Sequence, residues 1–183
     1  TENDETTFVN TLNDMIINTE ERIAELIEFD YFRKNVTGAL TTGNTYLTAP
    51  TDFKLSFSLA VIDSNNDYHY LDKKHTSFMR EYSNDAVDTS ERGRPLYYAD
   101  FDKDLSTASN NGSTLIVSPV PDQTYTVELH YLYKPTSLTS QTTGTWMSNN
   151  ARNALLYGSL IEASTFMKGD PEMQVVYETR FGQ

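Results

Sequence analysis

The sequence predicts an α+β protein in which terminal helices, packed as a helical bundle, flank a central antiparallel β-sheet or small β-sandwich. Three patterns support this fold class. Residues 7–28 place apolar side chains on one helical stripe, and residues 53–61 alternate apolar and polar side chains with the period of a strand. Residues 149–168 predict a second helix that is apolar on almost every side. With 183 residues, the chain fits a single domain, 1–183, with a sizeable core.

The N-terminal helical segment spans residues 1–35. Thr19 is a suitable N-cap for a second helix that would restart at Arg22 and Ile23. The pattern is therefore compatible with one continuous helix or with two shorter helices. The apolar stripe consists of Phe8, Leu12, Met15, Ile16, Ile23, Leu26 and Ile27.

The mainly β region spans residues 36–135 and is expected to hold five or six strands. Residues 53–61 form its clearest strand, and the Asx-rich turn at 63–67 leads to a partner strand, which predicts a hairpin. A short helix is expected near residues 74–82, where Phe78, Met79 and Tyr82 share one side. The remaining strands are expected at 68–71, 96–101, 114–118 and 125–133.

Residues 136–148 form a linker rich in Thr, Ser and Gly, and residues 149–183 carry the C-terminal helices. Gly158 leaves room for the close approach of another backbone. Gly169 is a natural helix cap, and Asp170 with Pro171 predicts the start of a further helix.

The formal net charge is -12, from 26 acidic and 14 basic side chains. Such a chain repels phosphates, which argues against a protein that grips nucleic acid by neutralising its backbone. The absence of cysteine excludes disulfides, thiolate zinc sites and cysteine nucleophiles. No run of about 18 apolar residues predicts a membrane span, and residues 1–5 are unlike a cationic signal peptide, so we expect use in a cytosol.

The sequence shows no catalytic constellation, cofactor motif or metal site. The three histidines are scattered, and residues 100–104 and 63–67 match a calcium loop only in the spacing of their acids. Glu128 is the one carboxylate that we consider as a candidate for glycoside hydrolysis. A position on the solvent-exposed face of a strand is the better explanation for an acidic residue there. The tyrosine pairs Tyr97/Tyr98 and Tyr131/Tyr133 suit a protein interface more than a sugar-stacking surface. We therefore expect a protein that is not an enzyme.

Several stretches resemble the virion proteins of tailed bacteriophages. In the β region they are 96–101, 115–122 and 125–135. Toward the C-terminus they are Trp146 and residues 150–151, 154–158, 162–163 and 166–169, while the N-terminal helix contributes 21–23 and Leu26. In this order the stretches resemble head-tail adaptor proteins, also called connector or head completion proteins.

The resemblance implies a structural virion protein of the phage neck, assembled in the host cytoplasm. Such adaptors form a homo-oligomeric ring, here of roughly twelve subunits, beneath the portal protein. Partners implied are the portal and the tail or nozzle proteins, while genomic DNA passes through without sequence-specific binding; no membrane or cofactor is involved. Alternatives are another neck or tail ring component, such as a tail terminator or tail-tube-type protein, or a carbohydrate-binding or adhesion module; an enzyme acting on glycans ranks behind these.

Three sets of residues are expected to serve assembly. A helix apolar on all sides needs more neighbours than one small domain supplies, which favours an interface with other subunits or the portal. That interface is assigned to Leu155, Leu156, Tyr157, Gly158, Ile161, Phe166 and Met167. Acidic residues lining the DNA passage are Glu20, Glu21 and Glu25. Loop residues facing the tail or another partner are Asp85, Asp88, Glu91 and Arg92.

Overall fold

The structure, a computed structural model, describes residues 2–26, 32–82, 89–103, 113–141 and 143–182. Contacts divide the chain into two compact units. The helical unit is Thr1–Tyr31 with Thr136–Gln183, and the β unit is Phe32–Pro135. The predicted α+β class, with helices flanking a β centre, is confirmed.

In chain order the helices are α1 (Glu2–Leu26), α2 (Thr76–Tyr82), α3 (Trp146–Asn150), α4 (Arg152–Met167) and α5 (Pro171–Phe181). The strands are β1 (Arg33–Leu40), β2 (Tyr46–Thr48), β3 (Phe53–Ile62), β4 (Tyr68–Tyr70), β5 (Asp72–Lys73), β6 (Tyr97–Lys103), β7 (Ser113–Ser118) and β8 (Tyr125–Tyr133). Short 3-10 turns lie at Thr89–Glu91 and Leu138–Ser140.

Helix α1 runs without a break, so the single N-terminal helix is correct. Thr19 does not cap a second helix, because its hydroxyl donates to the Met15 carbonyl at 2.9 Å inside the same helix. Met15, Thr19 and Ile23 follow one another at intervals of four residues and are all buried. They therefore form the face with which α1 packs in the helical unit.

The second predicted helix is divided in two. Ala151 leaves the helical region, with φ -122° and ψ 37°, and separates α3 from α4. At the end of α4 the left-handed residue is Lys168, with φ 52°, and not the expected Gly169. The predicted start of α5 is confirmed, because an Asp170 carboxylate oxygen accepts from the Glu172 amide and Pro171 occupies the first turn.

The β unit is a sandwich of two sheets and contains more strands than the five or six expected. Sheet A has the strand order β1-β8-β3-β4, and sheet B has the order β2-β7-β6-β5. Neighbouring strands are antiparallel except for the parallel pair β5 and β6. Side chains from both sheets meet in a buried core of Leu40, Leu47, Ala49, Leu59, Val61, Leu71, Tyr98, Leu115, Val117, Tyr125, Val127, Leu129 and Tyr131.

Strand β3 departs from the simple alternation that its sequence suggests. Its pairing with β8 shifts register between Phe53 and Leu55 and again between Ser56 and Ser58. Each bulge adds one residue to β3, so the side chains between the bulges change face. Ser56 is consequently buried, whereas Leu55 is 44% exposed. Leu59 and Val61, beyond the second bulge, point into the core as expected.

Helix α2 covers the outer face of sheet B. Met79 is buried there against Ala99 of β6 and Ile116 of β7, with Phe78 and Tyr97 packed at the margin. Tyr98, the neighbour of Tyr97, points the other way into the sandwich core.

Candidate assembly surfaces

A close contact between helices of the helical unit lies at Gly158 of α4. A Cβ atom at this position would collide with Thr19 Cγ2 of α1 and lie 2.9 Å from Cε2 of Phe181 in α5. The Arg22 guanidinium lies over the same ring, 4.8 Å from its centroid. Gly158 thus permits the close approach that its sequence context predicted, and the approaching elements are α1 and α5 of the same chain.

The residues predicted to form a subunit or portal interface divide into two groups. Leu155, Gly158 and Ile161 are buried within the helical unit, and Tyr157 is half-buried. The exposed group is Leu156, Phe166 and Met167, the last of which is 59% exposed. Phe166 also lies 6.3 Å from the Phe8 ring of α1, measured between ring centroids. Only the exposed group presents apolar surface to a partner.

Helix α5 adds exposed apolar residues that the sequence reasoning did not assign to an interface. None of its residues is buried. Met173, Val175 and Val176 are all exposed, and Val175 is 62% exposed. The signal in the sequence was weak, because two adjacent valines in a helix can share one buried stripe. We define the exposed helical patch as Leu156, Phe166, Met167, Met173, Val175 and Val176.

The three acidic residues of α1 have different surroundings. Glu21 and Glu25 are exposed. Glu20 is only 7% exposed, and its Oε1 accepts a hydrogen bond of 2.9 Å from the Leu138 amide. The carboxylate therefore holds the segment that follows the β unit, and the expectation that Glu20 lines a passage must be corrected to this structural role.

The predicted loop residues are only partly within the described chain. Asp85 and Asp88 lie outside the described residues. Glu91 is exposed at the 3-10 turn Thr89–Glu91, and Arg92 is half-buried. The Arg92 guanidinium packs over Gly43, whose φ of 75° suits a glycine. Arg92 therefore belongs to a packed turn.

Two aromatic clusters lie on either side of α2, and of their residues only Tyr97 was predicted to suit a protein interface. Arg80 donates to the Tyr46 hydroxyl at 3.0 Å, and its guanidinium lies 5.3 Å from the Phe101 ring centroid. In the other cluster the rings of Phe78, Tyr82 and Tyr97 contact one another with centroids 5.1 to 5.6 Å apart. Tyrosine and arginine in such groups are typical of protein interfaces.

A terminal helical unit with exposed apolar side chains and a β-sandwich with exposed aromatic groups are features of a protein that contacts other proteins. Comparison with protein-family models agrees, because the model described as "SU10 adaptor protein" matches residues 2–183. The chain belongs to the SU10 adaptor protein family. No curated protein matches the adaptor.

Membership of this family confirms the resemblance to phage head-tail adaptors. The adaptor is a structural phage protein and a virion component that interacts with other head or tail proteins. Among the described residues of the adaptor, no helix is long and apolar enough to cross a membrane.

A polar network joins three elements of the adaptor's β unit. Asp52 accepts hydrogen bonds from Lys34 Nζ at 2.7 Å and from the Tyr131 hydroxyl at 2.9 Å. Burial opposes ionisation of Asp52, but these donors outweigh it, so the pKa of this carboxyl is lowered. Burial, followed by the hydrogen bond to Asp52, raises the pKa of Tyr131 to about 12. The network ties β1 and β8 to the turn before β3.

A second network joins sheet A to sheet B. Lys73 Nζ donates to Ser56 Oγ at 2.8 Å and to an Asp100 carboxylate oxygen at 2.6 Å, and Ser56 donates to the other Asp100 oxygen at 2.8 Å. Although a serine and a lysine meet here, Ser56 is buried and already donates its proton to the carboxylate. This arrangement fits a structural link between the two sheets better than an activated serine nucleophile.

The remaining candidates for chemistry have structural partners. Asp63 accepts from the amides of Asn65 and Asp67 and from His69, which confirms the Asx-rich turn expected at the end of this strand. His130 contacts the Phe57 ring. In the part of the chain that the structure describes, no three His, Asp or Glu side chains are grouped so that they could hold a metal ion.

Proposed function

We propose that the adaptor assembles into a ring of identical subunits between portal and tail, joining the phage head to the tail. The match of the family model over residues 2–183 carries this proposal. By resemblance to other adaptors, the ring contains roughly twelve subunits. Its role is mechanical: no residue acts as a catalyst and no cofactor takes part.

The exposed helical patch supports contacts with neighbouring subunits or with the portal. Its six apolar side chains lie on two adjacent helices. A ring repeats one heterologous contact around its axis, so a single patch on each subunit serves every interface. Full burial of side chains of this size contributes about 1.5–3 kcal/mol each, and because these six are 45% to 62% exposed, an interface would gain roughly half of that per side chain.

The acidic side chains of α1 support a role beside the DNA. Glu21 and Glu25 are exposed, and ring symmetry would multiply their charge around the passage. A negative lining repels the phosphate backbone, so the duplex would slide without sticking. The β unit, with Glu91 and the aromatic clusters beside α2, is then available to the tail or nozzle proteins.

Mixing experiments with the portal protein of the same phage test this function. Mass photometry of the adaptor alone and after mixing should show a portal complex with added mass equal to a whole ring. Met167→Asp combined with Val175→Asp should abolish the complex, because each change puts a charge into the exposed helical patch. Leu55→Asp is the matched control, since it changes an exposed leucine of the β unit.

Three results would count against the proposal. An adaptor that never joins the portal, yet binds a glycan array, would favour an adhesion module. Normal ring assembly by the Met167/Val175 double variant would remove the exposed helical patch from the interface. Unchanged DNA release from particles carrying Glu21→Lys and Glu25→Lys would contradict the acidic lining while leaving the ring intact.

A further inference from the structure

The chain passes from sheet A to sheet B at Leu71. The Leu71 side chain is buried in the sandwich core, and its amide donates to the Leu59 carbonyl at 2.9 Å. Residues 72–82, which follow, comprise β5 and α2, and we call them the strap. β5 is an outer strand of sheet B and pairs with β6 alone. The strap can therefore separate from sheet B without breaking the pairing of any other strands.

The strap has few attachments to the rest of the β unit. β5 pairs with β6 over two residues, and the pairing is parallel, which is slightly weaker per residue than antiparallel pairing. Met79 is the one buried side chain of the strap, and it packs on Ala99 and Ile116 of sheet B. Segments with few buried contacts are those that open locally while the remainder of a protein stays folded.

A charge-assisted network ties the strap to both sheets. We define the inter-sheet link as Lys73 of the strap with Ser56 of β3 and Asp100 of β6. The Lys73 ammonium lies 2.8 Å from Ser56 Oγ and 2.6 Å from an Asp100 carboxylate oxygen. Hydrogen bonds of this charged kind are roughly twice as strong as neutral ones. One lysine side chain thus contributes much of what holds the strap closed.

The Tyr98 hydroxyl opposes the closed position of the strap. Tyr98 of β6 pairs with Lys73 of β5 and is 1% exposed. Burial raises the pKa of Tyr98, and the other groups that act on it are Ser56 and Asp100 of the inter-sheet link. No described residue lies in hydrogen-bonding geometry with the Tyr98 hydroxyl. A buried hydroxyl without a partner costs free energy, which is recovered when water reaches it.

We propose that the strap is a conformational switch: residues 72–82 leave sheet B as one unit while the rest of the β unit stays folded, and the inter-sheet link sets how often they do so. Opening uncovers the edge of the seven-residue strand β6 and the apolar surface of Ala99 and Ile116. It also admits water to Tyr98. The closed strap hides a strand edge that is able to pair with other chains. Only the β unit is involved, and ring formation is not required.

Thiol labelling measures the opening, because the chain contains no cysteine of its own. Ile116→Cys places a thiol beneath Met79, and Val127→Cys places one in the sandwich core, which only global unfolding exposes. With a thiol reagent in excess, Ile116→Cys should react roughly a hundredfold faster than Val127→Cys. Low concentrations of urea should hardly change the first rate and should raise the second steeply, since urea sensitivity scales with the surface exposed.

Amide hydrogen exchange tests the same opening in the unchanged protein. The Asp72 amide donates to the Leu96 carbonyl and the Lys74 amide to the Tyr98 carbonyl, both at 2.9 Å. These two amides and that of Met79 should share one opening constant once their intrinsic exchange rates are divided out. That constant should be roughly tenfold or more above the constant for the amides of β8 and should depend little on urea.

Three variants, each combined with Ile116→Cys, test what controls the opening. Lys73→Met removes the ammonium and keeps the apolar stem, so labelling should accelerate about tenfold. Lys74→Met is the matched control, because its carboxylate partner at 3.8 Å, Asp72, belongs to the strap itself. It should change the rate by less than about threefold. Tyr98→Phe should slow labelling about threefold or more, because it removes the unpaired hydroxyl from the closed form.

The proposal is overturned if Ile116→Cys and Val127→Cys label with the same urea dependence, since the strap would then open only in global unfolding. Unequal opening constants at the strap amides would contradict a single unit. An equal acceleration of Val127→Cys by Lys73→Met would make the link a general stabiliser, and faster labelling in Tyr98→Phe would refute the role of the hydroxyl. Amide exchange uses the unchanged protein, so it decides the outcome even where a variant fails to fold.

Discussion

Replacing Gly158 with alanine tests the close contact of α4 with α1 and α5 by adding a single methyl group. In the middle of an isolated helix, alanine is more favourable than glycine by about 1 kcal/mol. Helix propensity alone therefore predicts a more stable protein. The position is unusual because the added Cβ would collide with Thr19 Cγ2 and approach the Phe181 ring to 2.9 Å.

The collision should outweigh the gain in propensity. Overpacking a well-packed contact costs about 1–3 kcal/mol, and two neighbours closer than 3.0 Å place Gly158 toward the upper end of this range. Subtracting about 1 kcal/mol for propensity leaves a net loss of about 2 kcal/mol in the free energy of unfolding. Gly158→Leu, which adds three further carbons, should prevent the helical unit from folding.

Thr19→Ser supplies the matched rescue. It removes Cγ2, the atom in the way, and keeps the hydroxyl that donates to the Met15 carbonyl. Alone it should cost about 1 kcal/mol for the lost buried methyl group. In the double variant the alanine methyl occupies the vacated space, so stability should return close to that of the unchanged protein. The coupling energy should exceed about 1.5 kcal/mol.

Urea unfolding followed by tryptophan fluorescence is the appropriate assay, because Trp146 is the single tryptophan and belongs to the helical unit. A stabilisation of about 1 kcal/mol by Gly158→Ala would show that propensity decides and that α1 does not approach α4 so closely. Strict additivity of the two single changes would also refute the contact.

Three further outcomes follow from the described contacts. Because the folded pKa of Tyr131 is about 12 against an ordinary 10.0, its contribution is complete below pH 10 and is lost as pH rises. By pH 11.5 the unchanged protein should lose roughly 2 kcal/mol more stability in urea unfolding than Tyr131→Phe, in which Tyr98 and Tyr125, whose pKa values burial also raises, still titrate. Leu59→Ala should cost about 2–5 kcal/mol and Leu55→Ala less than about 1, although both occupy apolar positions of the same alternation; equal losses would contradict the bulges. Glu20→Ala should cost about 1–3 kcal/mol by leaving the Leu138 amide unpaired, and Glu20→Gln, which keeps an acceptor, should cost less than half as much in thermal melts; equal costs would contradict the hydrogen bond.

Local signals allowed much of the fold to be predicted. Strand β8 was predicted at its observed bounds, because Val127, Leu129 and Tyr131 alternate without interruption. The start of α5 followed from Asp170 and Pro171, whose capping chemistry depends only on neighbouring residues. Such features are encoded within a few positions of the chain, so no knowledge of tertiary contacts is needed.

Features that depend on distant partners could not be predicted. The bulges of β3 exist only relative to β8, so the sequence of β3 by itself gave Leu55 the wrong face. Glu20 looked like any other surface acid of α1, since its partner, the Leu138 amide, lies more than a hundred residues away. Most of β1 was not predicted as a strand, because its Thr, Gly and Asn residues are typical of turns. In the structure, β1 is the longest outer strand of the sandwich.

The apolar character of α4 shows how folding and assembly compete to explain one sequence pattern. A helix that is apolar on most sides predicts several neighbours but does not say which chain provides them. Two neighbours turn out to be α1 and α5, which cover Gly158, and Leu155 and Ile161 of α4 are buried as well. What remains for a partner is the exposed helical patch, to which α5 contributes half of the residues. The residues available to a partner are therefore those of the exposed helical patch and not the whole circumference of α4, and variants of Met167 and Val175 change them without touching Gly158.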